Sequence, residues 1–302
     1  MNRKEFGKLV ATLRQDMDWT QFQLAEYAGV EEPVISQLER GVKKHFEPDL
    51  LFRLANVFQL TTLERREFFL AASGLDDRQI VRQPTAGITT DAFDAVKILK
   101  KMLDLMGQVR LPAFVIDVYG DVIAANNCIL AFFKPPLSLL ENAERVPGGF
   151  NTIRLTFGRE LVARTQISEN WENYAINTMR AFREISLRYR AKPYFQYLMK
   201  AFRNPNEYPL FDRFWKLVSS AEQDKEANMD HFSYRHAEFG EVKYISSATF
   251  TLTAFGELFL NQFLPLDEHT YKVFEQLAQL GGEGVVRFAP WPNKPMAETP
   301  RQ

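Results

Sequence analysis

The sequence predicts a multidomain chain: an all-α head followed by an α+β domain built on a five-stranded antiparallel sheet. Three observations carry this. Apolar residues in the first ~75 positions recur only at helical steps of three and four. Beyond Pro112 two β-branched runs flank a tight turn, and three more runs return after His231. Between these groups lies a long stretch of helical periodicity, so the sheet's strands come from both ends of the second domain.

Composition sets the outer limits. A length of 302 residues suggests two domains. Hydrophobic residues at 46 % and charged residues at 25 % describe an ordinary folded protein. A single cysteine, Cys128, excludes an intramolecular disulfide and fits a reducing compartment. The N-terminus has no apolar stretch behind its charges, so no signal peptide is expected. No run approaches the ~18 apolar residues of a membrane span. A cytoplasmic protein with no membrane insertion is the expectation. The net charge of −1 gives no warrant for nucleic-acid binding, and the basic residues of the head are matched by acids.

The head is assigned to residues 1–75. Phe6, Leu9, Val10 and Leu13 define its first helix. Thr20 caps the second, with Gln23 as capping-box partner; Leu24, Ala25 and Ala28 face inward and Gly29 ends it. A third helix holds Val34, Ile35 and Leu38 and stops at Gly41. Pro48 opens a fourth, with Leu51, Leu54, Ala55 and Phe58 inside. Thr61–Glu64 starts a fifth that runs to Gly74. The charged run Glu64, Arg65, Arg66, Glu67 reads as a solvated helix face.

Residues 76–110 read as a linker and connecting helix. The polar stretch 76–90 contains Pro84 and Gly87, and the helix from Asp91 to about Val109 carries one apolar stripe. Residues 111–280 form the second domain. Its strands are expected at 113–118, 122–126, 232–236, 242–252 and 258–264, with helices over one face and a closing helix near 268–280. The tail 281–302, rich in Gly and Pro, is expected to be poorly ordered.

The stretch Trp19–Gly41 has the parts of a helix-turn-helix. Ala25 lets two helices approach, Gly29 permits the left-handed turn, and Val30, Ile35 and Leu38 pin the second helix. Its outer face is then available to a major groove. The frame "TQ…LA…AGV…IS.LE.G", within residues 3 to about 60, resembles the phage-repressor, or Xre-like, family. That resemblance implies double-stranded DNA as a partner. It places Gln21 at a phosphate or base edge, and Glu32, Pro33, Ser36 and Gln37 facing the groove. Gln37 suits adenine and Glu32 could accept from cytosine. Arg40, Lys43, Lys44 and His45 form the one local basic cluster and are the phosphate-contact candidates. Glu31 and Glu32 beside phosphates predict salt-sensitive or selective binding.

The strand–strand–helices–three-strand order of the second domain is that of a PAS domain. Leu111–Asp117, Asp121–Asn126, Asn151–Phe157, Trp171–Ala175, Phe211–Trp215 and Tyr234–Gly240 resemble the MmyB-like regulators, over roughly residues 110–270. Ala125 and Ala237 depart from that family's usual Trp and Pro. The resemblance implies a PAS-like domain that senses a small molecule. The many Phe, Tyr and Met side chains suit an apolar ligand, such as a fatty acid, with a small polar head. Arg154, Trp171, Tyr174, Phe182, Trp215, His236, Phe250 and Phe259 are expected to line one cavity, with Arg154 or His236 holding a carboxylate. Packing into an ordinary core is the competing reading for each aromatic.

No catalytic constellation is recognisable, so an enzyme is not expected, and no cofactor beyond a possible bound lipid-like ligand is implied. Cys128 reads as a small apolar residue behind the second strand. His231 and His236 are five apart and point to opposite faces of a strand, which argues against a metal site. Asp117 and Asp121 read as turn residues. The resulting expectation is a ligand-responsive transcription regulator, a homodimer on near-palindromic DNA. The alternative is a DNA-binding protein whose second domain only dimerises or recruits a protein partner.

Overall fold

A computed structural model of the chain describes residues 1–43, 45–74, 94–135, 140–141, 148–159, 171–220, 231–253 and 255–294. The predicted linker 76–90 lies outside them. The chain divides into two compact units: Met1–Ile88 with Arg183–Gln196 and Trp215–Glu222, and Thr89–Phe182 with Tyr197–Phe214 and Gln223–Gln302. No helix among the described residues is long and apolar enough to cross a membrane.

The first unit contains α1 (Arg3–Asp16), α2 (Gln21–Ala28), α3 (Glu32–Glu39), α4 (Pro48–Val57) and α5 (Thr62–Ser73). Three of these helices begin with reciprocal capping boxes, Asn2 with Glu5, Thr20 with Gln23 and Thr61 with Glu64. Pro occupies the first turn of α3 and of α4, where a missing N–H costs nothing. Gly29 closes α2 at φ 63°, and Val30 N–H donates to Ala25 O at 2.9 Å, so three residues turn the chain into α3. Phe6, Leu9, Val10, Leu24, Ile35, Leu38, Leu54 and Phe68 are buried together. Gly7 lies directly against the backbone of Leu38 and Glu39, so α1 crosses the end of α3 where no Cβ fits.

The second unit carries α6 (Ala95–Gln108), β1 (Ala113–Asp117), β2 (Val122–Asn126), α7 (Asn127–Phe133) and α8 (Thr152–Phe157). Then come α9 (Trp171–Ser186), a 3-10 turn (Leu187–Tyr189), α10 (Pro193–Phe202) and α11 (Phe211–Ser220). These contribute to both units. The last described elements are β3 (His231–His236), β4 (Gly240–Thr253), β5 (Gly256–Pro265), α12 (Glu268–Gly281) and β6 (Val285–Arg287). The sheet has the order β3-β4-β5-β1-β2-β6 and every pair is antiparallel.

The predicted α+β class and the five predicted strands are present, with two corrections. The sheet has a sixth strand drawn from the tail expected to be poorly ordered. β6 satisfies the edge of β2, with Val285 opposite Asn126 and Arg287 opposite Ala124. Beyond it Phe288 stacks on Phe150 at 4.1 Å, and Lys294 reaches Asp117 and Asp121. Helices also cover both faces of the sheet rather than one. Ala113 and Val115 pack with Leu99 and Met106 of α6, while Phe114 packs with the cluster of Phe132, Phe274 and Leu277 from α7 and α12. β2 is consequently buried at all five positions.

The β1–β2 connection is built on Asp117, whose Oδ1 accepts from Tyr119 N–H at 3.0 Å and Asp121 N–H at 3.2 Å. Asn126 closes the base: its Oδ1 accepts from Ala113 N–H and Ile129 N–H, each at 3.0 Å. Its Nδ2 donates to Val109 O and Leu111 O. Cys128 is buried among apolar neighbours, and that burial pushes its thiol up to about 12.

Candidate functional site

The first candidate surface is α3. Glu32, Pro33 and Gln37 are exposed on it, Ser36 is half-buried, and Ile35 and Leu38 face the core. This alternation follows from a 3.6-residue period with apolar residues three apart. The end of α3 is held by a network that local reading did not find. Arg14 makes a bidentate ion pair with Glu39, Nε to Oε1 at 2.7 Å and Nη2 to Oε2 at 3.0 Å. Its third arm donates to Trp19 O at 2.7 Å. Gln21 Nε2 donates to Glu39 Oε2 at 2.6 Å, so the amide of this expected DNA-contact residue is engaged within the head. Arg40 and His45 are exposed and Lys43 half-buried beyond α3; Lys44 lies outside the described residues. Gln37 O accepts from Val42 N–H at 3.0 Å, which folds this basic segment back beside the helix.

The second candidate site is aromatic. Trp171 meets Phe214 edge-on at 5.4 Å and Phe157 at 6.1 Å. Tyr174 meets Phe232 at 5.5 Å, and its burial pushes the phenol above its ordinary pKa. Phe232 leads to Tyr244, and Tyr244 and His236 both approach Phe132, each at 5.8 Å. Phe182 is buried and meets Phe202 at 6.1 Å. Arg154 is buried on α8 and donates to Gly149 O at 2.9 Å. Phe250 is exposed on β4 and leans on Phe259 of β5 at 6.2 Å.

The helix-turn-helix family matches residues 10–65, and the MmyB-like transcription regulator ligand binding domain matches residues 97–277, more than half of the chain. The chain belongs to the MmyB-like transcription regulators. No curated protein matches it. The regulator thus joins an Xre-like helix-turn-helix to a ligand-binding domain, the order the sequence reading expected.

Two expected ligand residues have other duties in this MmyB-like regulator. Trp215 lies in the first unit, with Arg183 and Arg190 over its ring at 5.0 and 5.1 Å. The apolar stripe of α11 did not show that its first turn, to Phe214, and the turns from Trp215 belong to different units. His236 Nδ1 accepts from Glu238 N–H at 3.1 Å and Phe239 N–H at 3.3 Å. Burial lowers its pKa in spite of the Glu238 charge, so it is a poor carboxylate holder at neutral pH. Tyr234, Tyr244 and Phe132 are part of the aromatic set and were missed. Phe232, Tyr234 and His236 share a strand face at steps of two, a signal that could have found Tyr234. A small pocket of about 170 Å³ between the end of α6, β2 and α12, near Asn126, Cys128 and Gly284, gathers none of the expected ligand residues.

The largest missed feature is ionic. Glu64, read as part of a solvated face, is fully buried. Its carboxylate accepts from Arg183 Nε and Nη2, both at 3.1 Å, from Arg190 Nη2, and from Thr61 N–H at 2.9 Å. Burial alone would push Glu64 up, but the Arg183 and Arg190 charges and these hydrogen bonds hold it down at about 2.

Proposed function

We propose that this MmyB-like regulator binds operator DNA through α3 and adjusts that binding to a small apolar molecule, a fatty acid or similar lipid, held in its second domain. The observation that carries the ligand class is the run of aromatic rings from α8, α9, α11 and β3, with buried Arg154 on the same short helix as Phe157. Apolar aromatic surfaces with a cationic group beside them suit a hydrocarbon chain ending in a carboxylate. On the DNA side, Gln37 reads a base and Lys43 and Arg40 meet phosphates, which separates specificity from general affinity.

The working form is a cytoplasmic homodimer. Two copies of α3 then sit about one DNA turn apart, ~34 Å, on a near-palindromic site. The ligand assignment is tested by heating the protein with long-chain fatty acids of several lengths. A length-dependent rise in melting temperature supports it, and no rise at any length removes it. Organic extraction of the purified protein followed by mass spectrometry gives the independent check.

A further inference from the structure

The segment Arg183–Gln196 belongs to the ligand-binding family match by sequence and to the DNA-binding unit by structure. Leu187 is fully buried in the core formed by the helix-turn-helix residues. Around it the ion pairs converge on α5. Arg183 and Arg190 grip Glu64, Arg188 meets Glu67 at 3.1 Å, and Thr61 Oγ1 donates to Glu184 at 3.0 Å. The same Glu64 carboxylate caps α5 through Thr61 N–H. Any displacement of the two guanidinium groups therefore acts directly on the first turn of α5.

From α5 the contacts continue to the DNA-reading helix. Phe68 of α5 packs on Phe6 of α1 at 5.0 Å. The next residue, Gly7, lies against the backbone of Leu38 and Glu39 at the end of α3. In the other direction, Arg183 sits in the last turns of α9, and the earlier turns of that helix carry Trp171 and Tyr174 of the aromatic site. A continuous helix is a stiff element, so a shift of its first turns is passed to its last.

We infer that Arg183, Arg190 and Glu64 are positioning residues that relay the state of the ligand site along α9 to the DNA-reading helix. The relay rests on the proposed ligand-responsive reading. It adds the route: α9, the buried ion triad, α5, α1 and α3. Coupling requires the ligand to favour one arrangement of this route over another.

The test uses the full-length chain, a duplex selected from random DNA, and palmitate as the probe. Six forms are compared: wild type, Arg183→Lys, and a triad-free form carrying Glu64→Leu, Arg183→Met and Arg190→Met, each with and without Tyr174→Ala. Apolar replacement of a whole buried triad commonly preserves folding. Arg183→Lys keeps the charge, loses the fork, and serves alone if the triad-free form does not fold. Tyr174→Ala perturbs the aromatic end of α9 without any ligand. It should change amide exchange over Thr62–Ser73 and change DNA affinity by about fivefold or more, the lower end of usual coupling. The same substitution should leave both unchanged in the triad-free and Arg183→Lys backgrounds. Palmitate should follow the same pattern.

Equal responses in wild-type and relay-deficient backgrounds, or no response of α5 in wild type, overturn the relay. If palmitate does not bind while Tyr174→Ala still acts only through the triad, the lipid assignment falls and the relay stands. If palmitate binds and shifts DNA affinity equally in all backgrounds, the relay falls and the lipid assignment stands.

Discussion

Replacing Glu64 by Gln keeps the shape of the side chain and removes its charge, leaving Arg183 and Arg190 buried without their shared carboxylate. Two estimates of the cost converge. The drop of Glu64 from its ordinary 4.5 to about 2 corresponds to roughly 3 kcal/mol at ~1.4 kcal/mol per pKa unit. Breaking a buried ion pair by removing one partner costs about 3–5 kcal/mol. The pH dependence has a definite sign. A carboxylate whose folded pKa is depressed contributes its stability in full above about 4.5 and loses it as pH falls toward about 2. Native-state hydrogen exchange over Thr62–Ser73, which reads local stability in the first unit, is the assay. Glu64→Gln should lower protection there by ~3 kcal/mol at neutral pH, and the gap from wild type should narrow between pH 4.5 and 2. A loss under ~1 kcal/mol, or a gap that does not depend on pH, refutes the assignment of Glu64 as the anchor of the segment Arg183–Gln196.

Lys294 lies 2.5 Å from Asp117 and 2.7 Å from Asp121, and burial together with the Asp121 charge pushes Asp117 up to about 6 in spite of this cation. Lys294→Met should destabilise the second unit at neutral pH by about 3–5 kcal/mol, and less at pH 5, where the orphaned carboxylates neutralise; urea unfolding at the two pH values checks this. Asn126→Ala removes the partner of four backbone groups, and thermal unfolding should show a loss of at least about 1–3 kcal/mol. Gln37→Ala should cost roughly 1–3 kcal/mol on the selected duplex and relax base choice, whereas Lys43→Ala should weaken all sequences and flatten the salt slope, as read by fluorescence anisotropy.

The head was legible because its signals are local. Thr20 and Gln23 announce a helix start three residues apart, and Gly29 marks the turn that its own backbone makes. The strands were legible for the same reason: β2 and β4 are dense in β-branched and apolar residues at neighbouring positions. What stayed hidden depends on distant partners. Glu64–Arg65–Arg66–Glu67 looks solvated because Arg183 and Arg190 lie well over a hundred residues away. Lys294 sits in a Pro-rich tail with no pattern, and only the open edge of β2 explains why that tail becomes β6. At the candidate sites the same division holds. The exposed face of α3 follows from its period, but the Arg14–Glu39–Gln21 clamp joins three helices and has no local signature. Trp215 shares an apolar stripe with Phe211 and Phe214, yet its ring lies under two arginines of the first unit.

Lipid-controlled DNA reading is tested most directly by DNA affinity, measured by anisotropy on protein stripped of bound lipid, with and without added long-chain fatty acid, against a selected and a scrambled duplex. The protein should prefer the selected duplex, and that preference should shift when fatty acid is added. Equal binding to both duplexes would contradict the DNA-reading role of α3, and an unchanged preference with fatty acid at saturation would contradict lipid control.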